Sequence, residues 1–178
     1  MELITIIFCS YLMGSIPFGY ILTKIFLKKD IRNIGSGNIG ATNVLRSGNK
    51  LIGYSTLIFD VLKAVLTIVF IKSNYPEYIY VSSLCIFIGH VFPIWLKFKG
   101  GKGVAIYVGI LFCLNIMFGI VFASTWFLLY FISKYSSLSS LLASLSVPVY
   151  LVLFLDGKDI FFFLIMLVLI FFSSQSNF

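Results

Sequence analysis

The residues best suited to chemistry lie in a polar segment, 35–46, whose sequence is GSGNIGATNVLR. Three glycines in six residues allow the backbone to take up positive φ angles and to approach a ligand closely. If a helix begins at Gly40, its free N–H groups and its dipole favour an anion, and Arg46 can hold a phosphate or carboxylate bidentately. The segment lacks the Gly-Lys-Ser/Thr ending of a Walker loop. It predicts an anion-binding loop, and the alternative is a flexible polar connection.

A second segment, 97–103, carries three lysines and three glycines in the sequence KFKGGKG. Its central pair, Gly100 and Gly101, favours a tight turn that brings the lysines together. Basic loops also orient membrane proteins without binding any ligand, and that is the alternative. Because orientation alone does not require three glycines in four residues, we favour a phosphate site. The residues predicted to form it are Lys97, Lys99, Gly100, Gly101, Lys102 and Gly103.

Three polar features lie outside these loops. His90 is the only histidine and a histidine can act as a general base, but a His-x4-Asp dyad would need an aspartate where Trp95 stands. We therefore interpret it as a residue that hydrogen-bonds between helices. Asp60 and Lys63, three residues apart in an apolar segment, predict an internal ion pair. Ser137, near the start of a later apolar segment, is expected to cap a helix or to donate to a substrate oxygen.

The elements that position these residues are predicted to be membrane helices. Of the 178 residues, 60% are hydrophobic and only 11% are charged, whereas a soluble domain has about 25% charged residues. The net charge is +7, and the basic residues lie between apolar runs. This pattern indicates anionic lipid headgroups or a phosphorylated substrate as partners, and not nucleic acid. We expect one polytopic membrane domain over 1–178.

About seven transmembrane helices are expected, since a span needs roughly 20 apolar residues. They are predicted at 3–27, 51–71, 78–96, 104–133 (as two short helices that turn near Asn115), 138–155 and 160–172. A single long tilted helix over 104–133 is the alternative. Lys and Arg are concentrated in 28–50 and 97–103, and the positive-inside rule places these segments in the cytoplasm. The fold class is therefore all-α membrane protein, with the N-terminus outside and the C-terminus cytoplasmic.

The two Gly-rich segments, together with GSIPFGY at 14–20 and His90 ahead of the second segment, closely resemble the bacterial acyl-phosphate-dependent glycerol-3-phosphate acyltransferases. The resemblance covers 14–105 in order and extends more weakly to Ser137. It implies seven transmembrane helices in the bacterial inner or plasma membrane, with the active site facing the cytoplasm. It also implies the first step of phospholipid biosynthesis: transfer of a fatty acyl chain from acyl phosphate to glycerol 3-phosphate, giving lysophosphatidate and phosphate. No metal or cofactor is implied.

Particular residues acquire expected roles in this way. The resemblance carries substrate or phosphate contacts to Ser36, Asn38, Asn43, Arg46, Lys97, Lys102 and Ser137. The two loops themselves add Gly37, Gly40, Lys99, Gly100, Gly101 and Gly103 to the binding residues. Arg46, Lys102, Ser137 and Asn177 are the residues expected to be catalytic. The expected partners are acyl phosphate, glycerol 3-phosphate and membrane lipid, with the enzyme that supplies acyl phosphate as a further candidate.

The C-terminal segment departs from the family pattern, in which the seventh helix ends with a histidine, an asparagine three residues later, and a basic tail. Asn177 takes the asparagine position, which puts Ser174 at the histidine position, and no basic tail follows. Two alternatives to an active enzyme therefore stay open. One is a catalytically silent family member that acts as a binding or scaffold protein in the membrane. The other, less favoured, is a small anion transporter.

Overall fold

The computed structural model describes residues 1–157 and 159–175, and all regular secondary structure within these ranges is helical. The described chain falls into two compact units, residues 1–110 and 111–175. The first contains α1 (Glu2–Ser15), α2 (Phe18–Phe26), α3 (Ala41–Arg46), α4 (Lys50–Asn74), α5 (Ile79–Val91) and most of α6 (Val104–Leu114). The second contains α7 (Ile116–Ser133), α8 (Ser136–Phe154) and α9 (Ile160–Gln175). Short 3₁₀ turns occupy Ile31–Asn33, Pro76–Tyr78 and Ile94–Leu96.

The apolar segments match the predicted membrane spans. Five are long and apolar enough to cross a membrane, and these are Glu2–Phe26, Lys50–Asn74, Pro76–Leu96, Ile116–Ser133 and Ser136–Phe154. Val104–Leu114 and Ile160–Gln175 are shorter apolar helices. The all-α membrane class is confirmed, while the orientation of the termini and the single-domain organisation stay predictions.

The turn predicted near Asn115 is confirmed, and the alternative of one long helix over 104–133 is wrong. Asn115 has an extended backbone, with φ −155° and ψ 132°. Its side-chain Oδ1 accepts a hydrogen bond from the Met117 N–H at 2.9 Å. An asparagine in this position is a good N-cap because it satisfies a backbone donor that the new helix leaves unpaired, so α7 begins afresh.

Two predicted spans are interrupted by proline. The span over 3–27 was expected to be continuous, but Pro17 separates α1 from α2 and Ile16 is extended. The span over 78–96 loses its α-helix after Val91, two residues before Pro93, and continues as a 3₁₀ turn. Both breaks have the same cause: proline has no N–H to donate and disfavours helical backbone in the residue before it.

Small residues allow α1 and α5 to pack with their backbones close together. A Cβ on Gly14 would collide with the carbonyl oxygen of Ile86, and a Cβ on Gly89 would collide with that of Tyr11. The Ser10 and Ser82 hydroxyl groups also form a buried hydrogen bond of 2.8 Å. Such packing is typical of membrane helices. In lipid the hydrophobic effect does not drive helices together, so close van der Waals packing through small residues does so instead. It fixes the end of α5, on which the second Gly-rich loop rests.

Candidate active site

Asn43 organises the first loop. Its Nδ2 donates to the carbonyl oxygens of Ile34 and Asn38 at 2.8 Å each, and its Oδ1 accepts from the Ser36 N–H at 3.0 Å. The side chain is buried, and these bonds use both ends of its amide. Gly35 has φ +57°, and a Cβ there would collide with Asn43 Oδ1. Asn43 therefore shapes the loop, instead of offering the free donor that the sequence suggested.

Asn38 is a buried polar residue of this loop whose side-chain amide keeps an unpaired donor. Its Oδ1 accepts from the Gly40 N–H at 2.8 Å, which leaves Nδ2 as a donor. This Nδ2 has no hydrogen-bond partner within 1–157 and 159–175, although the residue is only 5% exposed. A buried donor left unpaired costs roughly 1–3 kcal/mol. A substrate oxygen would offset that cost, which makes Asn38 a strong candidate for binding.

Arg46 is the last residue of α3, the helix that begins after Gly40 as predicted. The helix has only six residues, so its dipole is small and the helix terminus contributes less to anion binding than the sequence suggested. Arg46 is exposed, and its Cδ lies against the backbone at Gly35. The anion-binding capacity of this loop therefore resides in the Arg46 guanidinium and the Asn38 amide.

The second loop folds back onto the end of α5. The N–H of Gly100 donates to the Val91 carbonyl at 3.0 Å, and that of Gly101 donates to the His90 carbonyl at 3.1 Å. A Cβ would collide with the His90 carbonyl at Gly100, with the His90 ring at Gly101, and with an aromatic ring of α5 at Gly103. These glycines permit close packing, and the N–H groups of Gly100 and Gly101 are already used within the protein.

Lys102, on the second loop, lies within the electrostatic influence of Arg46, on the first. Lys102 is half-buried, and burial, followed by the positive charge of Arg46, lowers the pKa of its ammonium group. A phosphate carries the charge and the oxygens to pair with cations from both loops. By contrast, Lys97 and Lys99 are exposed. Arg46 and Lys102 are therefore the cations assigned to the centre of the candidate site.

Comparison with known proteins places the chain in a family. A sequence profile described as glycerol-3-phosphate acyltransferase matches residues 4–178. The glycerol-3-phosphate acyltransferase of Pelagibacter ubique is 63% identical over 177 residues, which cover 99% of this chain and 92% of that protein. The chain belongs to the glycerol-3-phosphate acyltransferase family. Another family member, from Nitrobacter winogradskyi, is 46% identical over 169 residues, covering 94% of this chain and 86% of that one.

Two solved structures resemble the acyltransferase fold of this chain. Both are of PlsY (YgiH), an integral membrane glycerol 3-phosphate acyltransferase. The glycerol 3-phosphate form superposes with a TM-score of 0.90 at 30% identity, covering 99% of this chain and 90% of that one. The lysophosphatidic acid form has a TM-score of 0.86 at 28% identity, with the same coverage. This acyltransferase is accordingly a multi-pass membrane protein.

Three residues of the C-terminal part of the chain were singled out by the sequence, and they are Ser137, Ser174 and Asn177. Ser137 was expected to be able to cap α8, but that is wrong: the helix already begins at Ser136, and its N-cap is Tyr135. Ser137 is half-buried in the first turn, so a role towards substrate stays a prediction. Ser174 is buried in the last turn of α9, and its hydroxyl has no hydrogen-bond partner in the described ranges. Asn177 lies outside the described residues.

The predicted buried ion pair is confirmed. Lys63 Nζ lies 2.8 Å from Asp60 Oδ1, and both side chains are 2% exposed. The interpretation of His90 as a residue that hydrogen-bonds between helices is also confirmed, because its Nδ1 lies 3.1 Å from Lys63 Nζ. A third bond of Lys63, to the Ile16 carbonyl at 2.7 Å, was missed by sequence reasoning. Pro17 was the signal that could have indicated it, since a helix break frees carbonyl groups.

Proposed function

We propose that this chain transfers a fatty acyl group from acyl phosphate to glycerol 3-phosphate, producing 1-acylglycerol 3-phosphate (lysophosphatidate) and inorganic phosphate. The observation that carries this proposal is the match of residues 4–178 to the glycerol-3-phosphate acyltransferase family, in a chain whose two Gly-rich loops carry Arg46 and Lys102. Both substrates carry a phosphate, so a site with converging cations suits either of them. Asn38 adds an unpaired buried donor on the first loop.

The reaction needs no nucleophile from the protein. The glycerol hydroxyl oxygen forms the new ester bond with the acyl carbon, and the bond between that carbon and the phosphate oxygen breaks. The hydroxyl proton leaves with the released phosphate, so atoms and charge balance. Because phosphate is a good leaving group, no covalent enzyme intermediate has to be invoked. The protein's part is to orient the two substrates and to stabilise their negative charges, through Arg46, Lys102 and Asn38.

The proposed location is the bacterial inner or plasma membrane, with the site facing the cytoplasm. The basic residues concentrated in 28–50 and 97–103 support this orientation, because Lys and Arg accumulate in cytoplasmic loops. Acyl phosphate is proposed to enter from the lipid phase, and its supplying enzyme is a proposed partner. A silent scaffold and an anion transporter are not favoured, since the family and both structural relatives are acyltransferases.

The direct test is phosphate release from purified protein reconstituted in lipid and supplied with palmitoyl phosphate. We expect release only when glycerol 3-phosphate is added, with lysophosphatidate formed in equal amount. Dependence on glycerol 3-phosphate separates transfer from simple hydrolysis of the acyl phosphate. Folded protein that releases no phosphate beside an active relative would contradict the proposal and would favour the scaffold hypothesis.

A further inference from the structure

Three ionisable side chains meet in the interior of the first unit, and the proposed reaction uses none of them directly. Lys63 Nζ contacts Asp60 Oδ1 at 2.8 Å within α4 and His90 Nδ1 at 3.1 Å on α5. The three side chains are between 2% and 4% exposed. Charges in the interior of a membrane protein are costly, and they are usually paired and functional. Pairing explains how these charges are tolerated, and their other contacts indicate what they do.

Lys63 connects this cluster to the break between α1 and α2 through a hydrogen bond. Pro17 lacks an N–H group, and the carbonyl of Ile16 at the break accepts a hydrogen bond from Lys63 Nζ at 2.7 Å. An ammonium group has three N–H donors. Here the ammonium contacts the Ile16 carbonyl and His90 Nδ1, and Asp60 Oδ1 lies 2.8 Å from Nζ as its counter-ion. These contacts fix the position of the ammonium relative to α4, to α5 and to the break between α1 and α2.

His90 extends the cluster to the second Gly-rich loop. An ammonium only donates, so Nδ1 of His90 is the acceptor and the ring proton is on Nε2. The Nε2 edge of the ring faces Gly101, where a Cβ would collide with it. The His90 carbonyl also accepts from the Gly101 N–H at 3.1 Å. One residue thus touches the loop through both its ring and its backbone, next to Lys102.

We propose that Asp60, Lys63 and His90 are positioning residues that hold the 97–103 loop, and Lys102 with it, against α5. A buried ion pair that only balanced charge would not require a histidine whose far edge packs on the loop. Replacing such a pair by apolar residues is often neutral for stability, so a purely structural role predicts unchanged substrate binding. The kinetic part of this inference rests on the proposed acyltransferase function.

The sharpest test uses the contact between the His90 ring and Gly101. Gly101→Ala inserts a methyl group against the ring, and His90→Asn removes the Nε2 edge while keeping an acceptor near the Nδ1 position. We expect each substitution to raise the KM for glycerol 3-phosphate about tenfold, as for one lost hydrogen-bonded contact. In the double variant the smaller Asn leaves room for the methyl group. Its KM should therefore be no higher than that of Gly101→Ala, whereas a product of about one hundredfold, expected from independent effects, would overturn the proposal.

The matched control is Ser82→Ala, which removes a buried hydrogen bond from the same helix at its contact with α1. It should leave the KM unchanged. If His90→Asn does not fold, the pair Asp60→Leu with Lys63→Met replaces the charges by apolar groups of similar size. A folded double variant with the wild-type KM would contradict the positioning role.

Hydrogen exchange gives a readout that does not depend on activity. The amides of Gly100 and Gly101 are bonded to the end of α5, and we expect peptides covering 99–103 to exchange at least about tenfold faster in His90→Asn, since local opening governs exchange. Ser82→Ala should not alter this exchange. Unchanged protection in His90→Asn overturns the inference even if the protein proves inactive. If the wild-type protein transfers no acyl group but His90→Asn still exchanges faster than the wild type, only the proposed function is contradicted.

Discussion

Replacing Arg46 tests the proposed site most directly. The residue is exposed at the end of α3, so Arg46→Ala removes a charge without opening a cavity. Losing one hydrogen bond to a charged group costs roughly 1.5–3 kcal/mol. Since about 1.4 kcal/mol corresponds to a factor of ten in rate, kcat/KM for glycerol 3-phosphate should fall by roughly 10- to 150-fold. Arg46→Lys keeps the charge but loses the planar two-donor fork, and we expect a smaller loss.

Arg32 provides the matched control for this experiment. It is an exposed arginine of the same unit, paired with Asp30 at 2.7 Å and lying 4.9 Å from the centre of the Tyr20 ring. The hydrogen bond from Arg32 lowers the pKa of Asp30 to about 2. An exposed ion pair of this kind nevertheless contributes only about 0–1 kcal/mol to stability. Arg32→Ala should therefore change kcat/KM little.

The assay is phosphate release from lipid-reconstituted protein over a range of glycerol 3-phosphate concentrations, with thermal unfolding in detergent to verify folding. Equal losses in Arg46→Ala and Arg32→Ala would show a general effect of surface charge and refute the site. Full activity in Arg46→Ala would refute it as well.

Three further predictions follow from the same loops and caps. The pKa of Lys102 is lowered from its ordinary 10.5 by burial and by the charge of Arg46. Because the ammonium form binds phosphate, a pH–rate profile should show kcat/KM declining from a pH below 10.5. Arg46→Gln should move this decline to higher pH. Asn43→Ala leaves the Asn38 carbonyl and the Ser36 N–H without these side-chain partners and should lower the unfolding free energy by about 1–3 kcal/mol. Thermal unfolding would measure this loss. The exposed Asn33→Ala is the control, and an equal effect there would contradict the prediction. Asn115→Ala removes the N-cap of α7 and should cost about 1 kcal/mol of stability. Its kcat/KM should stay unchanged. A large loss of turnover would show that Asn115 does more than cap the helix.

Local patterns in the sequence were good guides wherever the cause was local. The apolar segments correspond to the helices because each is defined by its own composition and length. Asn115 predicted a helix break because a capping side chain acts on the residues that directly follow it. The pair Asp60 and Lys63 follows from helical spacing. The predicted span over 3–27 is present as Glu2–Phe26, and the break inside it at Pro17 also has a local cause.

Contacts between distant segments were not predictable in this way. The glycines of 97–103 were predicted to bind phosphate, but Gly101 is packed against His90 and donates to its carbonyl. Asn43, predicted to contact substrate, uses its amide to close its own loop. In both cases the residue type indicated a close or hydrogen-bonded contact. Only the fold decides whether the partner in that contact is protein or ligand.

The sequence by itself determined that the chain is a membrane protein, which family it resembles, and which two loops carry its cations, because hydropathy, charge and motif spacing are properties of residues near one another in the chain. The tertiary structure decided that Lys63 Nζ meets both His90 Nδ1 and the Ile16 carbonyl. These contacts join segments separated by tens of residues. They depend on how closely α1 and α5 pack and on where Pro17 breaks a helix, and no local pattern specifies the partner across such a gap.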